Sequence, residues 1–239
     1  MVSNITYRLS AFSDYSLISY NKEDVIKILS DFTDVILSPT VISEVLSGNV
    51  VSQRMQFLAQ NGLLLITILS ERIDIQVTSN RKDGFQPDEI EDVKRKLGQY
   101  MELILNVFSN RVSSPYRLAW FTSYVCFEQT VEEKNAFRDK FLKELNFFKT
   151  NRIEDMIARF GAQRTVEISG REETLNVLLT VNRHIIDQGT DMEVDGYKAD
   201  YDINTWQGNR VNRFSIEGMK EFVEKAFIQQ EALNEEVLS

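Results

Sequence analysis

Residues 51–78 read VSQRMQFLAQNGLLLITILSERIDIQVT, and this stretch predicts an antiparallel meander of three strands. The dipeptide Asn61-Gly62 favours a two-residue hairpin turn between the first two strands. After Ser70-Glu71, apolar residues alternate with polar ones, which gives the third strand one buried and one solvent-facing side. We therefore expect a small antiparallel sheet in this part of the chain.

A long amphipathic helix is predicted after the meander, beginning at Pro87. Proline suits the first helical position because that position needs no amide hydrogen bond, and Asp88 and Glu89 follow where acidic residues are favourable. Apolar side chains then recur at steps of three and four, as one buried helix face requires. They are Ile90, Val93, Leu97, Tyr100, Met101, Ile104, Leu105 and Phe108.

A strand and a helix are predicted upstream of the meander. Residues 4–10 alternate well enough for a strand, and residues 21–32 carry apolar side chains at helical spacing behind a candidate cap, Asn21. Residues 35–49 contain a proline and a Gly-Asn break. We expect a connection there, with room for a short helix at 41–46.

The second half predicts the same order of elements. Residues 116–128 predict an aromatic strand, and Thr130 with Glu133 forms a capping box at the start of a helix. Three strands and a long terminal helix follow, at 160–168, 175–186, 197–205 and about 215–238, with the turn Ser169-Gly170 after the first strand.

These elements predict an α+β fold of two successive β-α-β-β-β-α units. Each unit would form its own antiparallel sheet, covered by its own long amphipathic helix. The units would span residues 1–112 and 113–239, and we expect them to pack together as one compact body because no linker separates them. Their sheets would lie side by side or join into one continuous sheet. The repeated element order indicates an internal duplication.

Composition limits the class of protein. The 239 residues are 43% hydrophobic and 26% charged, as is typical of globular chains. The single cysteine, Cys126, allows no intramolecular disulfide and no multi-cysteine metal site, and its aromatic strand predicts a buried, inert thiol. The N-terminus lacks a signal-peptide core, and the longest apolar run is too short to span a membrane. We therefore expect a cytoplasmic protein with no membrane partner.

The chain is acidic, with 36 acidic and 27 basic residues and a net charge of −9. This charge disfavours duplex nucleic acid as a partner, because phosphate binding requires a basic surface. A local basic patch at Arg81, Lys82 and 94–96 is interpreted as a solvated helix face.

No catalytic constellation stands out. His184 is the only histidine, so any Ser-His-Asp triad or Cys-His pair would have to use it, and its polar strand neighbours indicate a partly exposed structural residue. Glycine-rich phosphate loops are absent. We therefore expect no catalytic residue, no metal site and no cofactor, and the chain leans away from being an enzyme.

The acidic run 187–202 is the main candidate binding surface, suited to a basic partner or to weak cation binding. Its central part nearly matches a calcium loop, but Asp195-Gly196 also fits a hairpin turn, and we favour the turn. Trp206 follows in a polar loop, where a large aromatic side chain often anchors an interface. The candidate partner-binding residues are Asp191, Glu193, Asp195, Asp200, Asp202 and Trp206.

Two segments resemble a sporadically distributed family of uncharacterised bacterial proteins of about this length. The first is RMQFLAQNG at 54–62, followed by a strand at 64–68 and by ERIDI at 71–75. The second is YDIN at 201–204, before a long terminal helix. The resemblance covers about half of the chain and implies neither an activity nor a functional residue. The family's patchy distribution would fit mobile-element or phage-defence loci.

We therefore expect a non-enzymatic protein-binding module, such as an adaptor, an antitoxin-like or a chaperone-like component. Its partner would be another protein or a second copy in a homodimer, bound through a sheet face or through the cleft between the units. The alternative is an enzyme or small-molecule-binding protein with a carboxylate-lined pocket between the two units.

Overall fold

The computed structural model describes residues 2–46, 51–79, 87–126, 130–141, 155–186 and 194–237. Their strands form one antiparallel sheet of nine strands, in the order β2-β3-β4-β5-β1-β6-β9-β8-β7. The strands are β1 Val2–Phe12, β2 Leu37–Val45, β3 Val51–Ala59, β4 Leu64–Ile68, β5 Arg72–Thr78, β6 Arg117–Cys126, β7 Ile157–Ile168, β8 Arg171–Ile186 and β9 Val194–Thr205.

Four helices accompany the sheet in the described residues: α1 Lys22–Asp31, α2 Pro87–Val107, α3 Val131–Phe141 and α4 Ile216–Val237. The predicted cap of α1 is confirmed, since the Asn21 side chain accepts a 2.9 Å hydrogen bond from the Asp24 amide. Pro87 is the first residue of α2, as predicted. None of these helices is long and apolar enough to cross a membrane.

The prediction of two β-α-β-β-β-α units, each with its own sheet and covering helix, is wrong. β1 pairs with β5 along one edge and with β6 along the other, so strands from both halves of the chain belong to one sheet. One buried core also spans this junction and includes Leu9, Trp120 and Phe222. Long-range pairing of β1 with β6 leaves no exposed edge in the middle of the molecule.

The connection predicted at 35–49 is also wrong for 37–45, which form β2. Val41, Ile42 and Val45 have the branched side chains that strands favour. Pro39 is tolerated because β2 is an edge strand, where a missing amide costs no ladder hydrogen bond. Four strands, and not three, therefore lie between α1 and α2.

Two predicted hairpins are confirmed and one predicted turn is wrong. Ser169 and Gly170 (φ 51° and 71°) close the β7–β8 hairpin. Gly62 (φ 72°) lies in the β3–β4 hairpin, but its connection consists of residues 60–63 and is longer than the two residues predicted. Asp195 and Gly196, in contrast, lie inside β9, opposite Ile185 and His184. The preference of Asp-Gly for turns is outweighed there by the pairing of β9 with residues 175–186 of β8.

The helices cover only one face of the sheet. Strand side chains alternate between faces, and the helix-covered positions pack into the core with α1, α2 and α4. Phe137 of α3 stacks on Tyr197 of β9, on the same face, with ring centroids 4.9 Å apart. The covered positions include Tyr7, Leu9, Ala11, Ile73, Ile75, Leu118, Trp120, Val177, Tyr201 and Ile203.

Gln230 of α4 fixes this helix on the centre of the sheet. Its side chain is fully buried, and its Oε1 accepts hydrogen bonds from Trp120 Nε1 at 2.8 Å and from Thr122 Oγ1 at 2.5 Å. Its Nε2 donates to the Tyr124 hydroxyl. Buried polar groups need such partners, so this one glutamine satisfies three side chains of β6.

We expect Gln230→Ala to lower the free energy of unfolding by about 3 kcal/mol, because it leaves a cavity and three buried polar groups with a lost partner. Thermal and urea denaturation would measure the change. Gln229→Ala, which removes a glutamine with no such bonds from the same helix, is the matched control and should cost less than about 0.5 kcal/mol. A similar loss in both variants would contradict this role for Gln230.

Candidate functional site

The candidate site is the other face of the sheet, which no described helix covers and which we call the open face. On β1 it carries Arg8, Ser10 and Phe12, and the strand registers place their neighbours on both sides. Polar side chains dominate it. They include Arg72, Asp74 and Gln76 of β5, Arg117 and Ser123 of β6, Asp200, Asp202 and Asn204 of β9, Asn176 and Thr180 of β8, and Arg159 and Gln163 of β7.

Two arginines of the open face lie on phenylalanine rings of the neighbouring strand. The Arg8 guanidinium lies 4.7 Å from the Phe121 ring centroid, and the Arg117 guanidinium lies 4.5 Å from that of Phe12. Each pair is directly opposite in the β1–β6 register. The described residues give neither buried Nε atom a hydrogen-bond acceptor. The rings therefore orient two guanidinium groups on the open face.

A third arginine continues the row on which Arg117 lies. Arg72 is opposite Phe12 on the other side of β1, and its Nε lies 3.0 Å from Asp74 Oδ2. Asp74 also accepts a 2.6 Å hydrogen bond from Ser10 Oγ. The buried carboxylate of Asp74 thus neutralises one arginine, while Arg117 on the far side of the ring has no such partner among the described residues.

The electrostatics of Arg117 reflect this crowding. Burial lowers the pKa of its guanidinium, and the nearby positive charges of Arg210 and Arg72 lower it further, whereas Asp202 acts in the opposite direction. A charged group that is partly desolvated among like charges gains from an added hydrogen-bond acceptor. Arg117 is therefore a partly desolvated cation among like charges on the open face.

A chain of amide hydrogen bonds crosses β7, β8 and β9. Gln163 Nε2 donates to Asn176 Oδ1 at 3.0 Å, Asn176 Nδ2 donates to Asn204 Oδ1 at 3.2 Å, and Asn204 Nδ2 donates to Asp202 Oδ1 at 3.0 Å. The register makes Gln163, Asn176 and Asn204 direct neighbours. Each amide is oriented by the next, so the row presents fixed donors and acceptors.

A shallow groove of about 660 Å³ lies over this amide row, with Trp206 at its end. The Trp206 side chain is 51% exposed. Its ring packs against Gly208, where an added Cβ would lie 2.5 to 2.8 Å from three ring atoms. Glycine at 208 is therefore required for this position of the ring.

The loop that carries Trp206 is anchored by a buried ion pair. Arg213 Nε and Nη2 donate to the two carboxylate oxygens of Glu173 at 2.6 and 2.9 Å, and both side chains are more than nine-tenths buried. Arg213 also donates to the carbonyls of Tyr116 and Asn209. A bidentate pair of this kind holds the loop in one geometry.

The structure separates the acidic residues that the sequence grouped together. Asp200 and Asp202 lie on the open face, where Asp200 pairs with Lys198 at 2.9 Å. Asp195 lies on the helix-covered face and pairs with Arg183 at 2.9 Å. Trp206 borders the open face. Asp191 and Glu193 lie outside the described residues, so their part of the prediction stays a prediction.

The remaining chemical candidates of the sequence are His184 and Cys126. His184 is partly buried at the far end of β8. The side chain of Cys126, at the end of β6, lies outside the described residues. Within the ranges that the structure describes, no group of three histidine, cysteine, aspartate or glutamate residues is placed to hold a metal ion.

A second hollow, which we call the end pocket, lies where β1 ends, beside the β4–β5 turn. It measures about 680 Å³ and is lined by three carboxylates, Asp14, Glu44 and Glu71, and by Arg72 and Arg210. Glu44 is held by Arg54 at 2.8 Å, and hydrogen bonds from Ser16 lower the pKa of Asp14. A carboxyl group whose pKa lies below that of an ordinary aspartate is poorly suited to act as a general acid at neutral pH.

A scan against known protein families and a search of curated proteins find no match to this chain. The resemblance of residues 54–62 and 201–204 to a bacterial family therefore stays a prediction. The candidate site rests on the geometry of the open face alone.

Composition alone does not identify the open face in the sequence. On β6 it takes positions 117, 119, 121 and 123 by strand alternation, but these hold Arg, Ala, Phe and Ser, and the covered positions include Thr122. Which strand lies beside it, and hence that Arg117 meets Phe12 and Arg72, depends on contacts distant in sequence. Sequence patterns do not specify such neighbours.

We expect Gly208→Ala to displace the Trp206 ring, because the added methyl group would occupy the space of the ring. Acrylamide quenching of tryptophan fluorescence should rise, since Trp120 is fully buried and Trp206 accounts for nearly all quenching. Gly98→Ala in α2, whose added Cβ meets an ordinary contact at 3.4 Å, is the matched control. Unchanged quenching in Gly208→Ala would contradict the packing described.

Proposed function

We propose that this chain is a non-enzymatic protein-binding module of the bacterial cytoplasm and that the open face is its binding surface. An adaptor, an antitoxin-like or a chaperone-like component would each use such a surface. The observation that carries the proposal is that Arg8 and Arg117 are each held on a phenylalanine ring. Their buried Nε atoms have no hydrogen-bond acceptor among the described residues. A place in a mobile-element or phage-defence locus rests on the family resemblance.

The physical case is that the open face is ordered before a partner arrives. Cation–π contacts fix the two guanidinium groups, and the amide row from Gln163 to Asp202 fixes the polar side chains beside them. A preorganised surface loses little conformational entropy on binding. Arginine and tryptophan are also the residues that most often dominate interface energies.

The charge of the open face favours a protein partner over nucleic acid. Within the described residues of β1 and β5–β9, the open face carries five basic and five acidic side chains. The basic ones are Arg8, Arg72, Arg117, Arg159 and Lys198, and the acidic ones are Asp74, Glu167, Glu172, Asp200 and Asp202. A phosphate backbone requires a continuous basic surface, whereas protein interfaces commonly alternate both signs.

The test is to purify the tagged chain from its native host and to measure any stoichiometric partner. The double variant Arg8→Gln with Arg117→Gln should retain at least tenfold less partner than the wild type, because both oriented donors are removed. Circular dichroism and thermal melting would check that the variant is folded.

The matched control is Lys22→Gln with Lys27→Gln, which makes the same change of charge at exposed positions of α1. It should retain the partner at the wild-type level. Equal retention by both double variants would refute the open face as the binding surface. Absence of a stoichiometric protein together with turnover of a defined substrate would refute the protein-binding function.

The end pocket supports the alternative of an enzyme or a small-molecule-binding protein. It brings carboxylates of the first half, Asp14, Glu44 and Glu71, close to Tyr116 and Arg210 of the second half. Its ligand would be a small molecule with both cationic and anionic groups, to match these charges. Loss of turnover in Glu71→Gln, with partner retention unchanged, would favour this alternative.

A further inference from the structure

The two outer strands of the sheet, β2 and β7, differ in how their free edges are protected. The amide of Gln60 bonds to the Ile36 carbonyl, and this sets the alternation along β2. The backbone N–H and C=O groups of its even-numbered residues point toward β3, and those of its odd-numbered residues point outward. Pro39 is one of these outward positions and interrupts the row of donors. Proline on an edge blocks pairing with another chain.

β7 has an edge of twelve residues without proline. The amide of Arg183 bonds to the Met156 carbonyl, so the backbone N–H and C=O groups of even-numbered residues in β7 point toward β8. Those of the odd-numbered residues, from Ile157 to Glu167, point outward. No described strand pairs with this edge. Phe160, 49% exposed, and Ile157, 69% exposed, add apolar surface to it.

The side chains of β7 are complementary to a second copy of the same strand. If two copies run antiparallel with Gln163 opposite Gln163, Arg159 lies opposite Glu167 twice, and Phe160 lies opposite Val166 twice. The opposed residues 159, 161, 163, 165 and 167 are also those whose backbone groups face outward, so this register satisfies both backbone and side chains.

Arg159 and Glu167 form no ion pair within the described part of the chain. Arg159 lies opposite Thr180 of β8, and Glu167 lies opposite Glu172, a residue of the same charge. Like charges placed directly opposite destabilise a sheet. A cation on the outer side of Glu167 would offset that repulsion, and Arg159 of a second copy is the cation that this register supplies.

The geometry points to a homodimer in which β7 pairs antiparallel with β7 of a second copy, centred on Gln163. Its two sheets join into one of eighteen strands, twice the nine of a single chain. The groove on the open face, which extends to Arg159 and Gln163, then continues onto the second copy. Two partner-binding faces become one surface around a two-fold axis.

Sedimentation equilibrium of the full chain over a wide range of concentration tests the homodimer. The wild type should show a species of twice the chain mass of 27.7 kDa. A monomer at every concentration would overturn the inference.

Charge reversal tests the register. Arg159→Glu and Glu167→Arg each place two like-charge pairs in the interface, and each should weaken the dimer at least about tenfold. The double variant with both substitutions restores two opposite-charge pairs and should dimerise as the wild type does. Single variants that dimerise normally, or a double variant that does not recover, would overturn the proposed pairing.

Proline substitution tests the backbone edge. Gln163→Pro removes an outward amide at the centre of the interface and should give a monomer, whereas Ser43→Pro removes an outward amide on β2 and should leave the dimer intact. Thermal melting confirms that each variant is folded. A dimer that survives Gln163→Pro but is lost in Ser43→Pro would place the interface on β2 and overturn the inference.

Discussion

The pairing of β1 with β6 is the interaction on which the rest of the structure depends. It places Leu9 opposite Trp120 in the covered face and Arg8 opposite Phe121 in the open face. One hydrogen-bonded ladder thereby joins the halves of the chain into a single sheet, lets the main core include residues of both halves and assembles the arginine-ring pairs. A shift of one residue in this ladder would move every one of these side chains to the opposite face.

Both faces of the sheet follow from the alternation of side chains along each strand, but their side chains make different contacts. On the covered face, Gln230 satisfies the polar groups of Trp120, Thr122 and Tyr124, so α4 packs against β6 with these three side chains hydrogen-bonded. On the open face, polar side chains bond to one another across strands. The described helices cover one face, and the proposed binding surface is the other.

Local signals in the sequence predicted local structure correctly, as at Asn21, Pro87 and the hairpin at Asn61-Gly62. The β1–β6 pairing that joins the strands into one sheet was not predicted, because a pattern of alternation specifies a strand but not its neighbour. The same limit applied to the site. Trp206 was expected near the surface and is half exposed, whereas the acidic run was grouped by proximity in sequence, and strand alternation then placed Asp195 and Asp200 on opposite faces.

Amide-resolved hydrogen exchange of β1 and β6 tests the single sheet most directly. If the halves share one ladder and one core, the central amides of both strands should exchange with the same free energy of opening, equal to that of global unfolding. Protection of β1 with β5 that persists while β6 and β9 open at a clearly lower free energy would contradict a shared sheet. Two separately unfolding halves would then be the correct description.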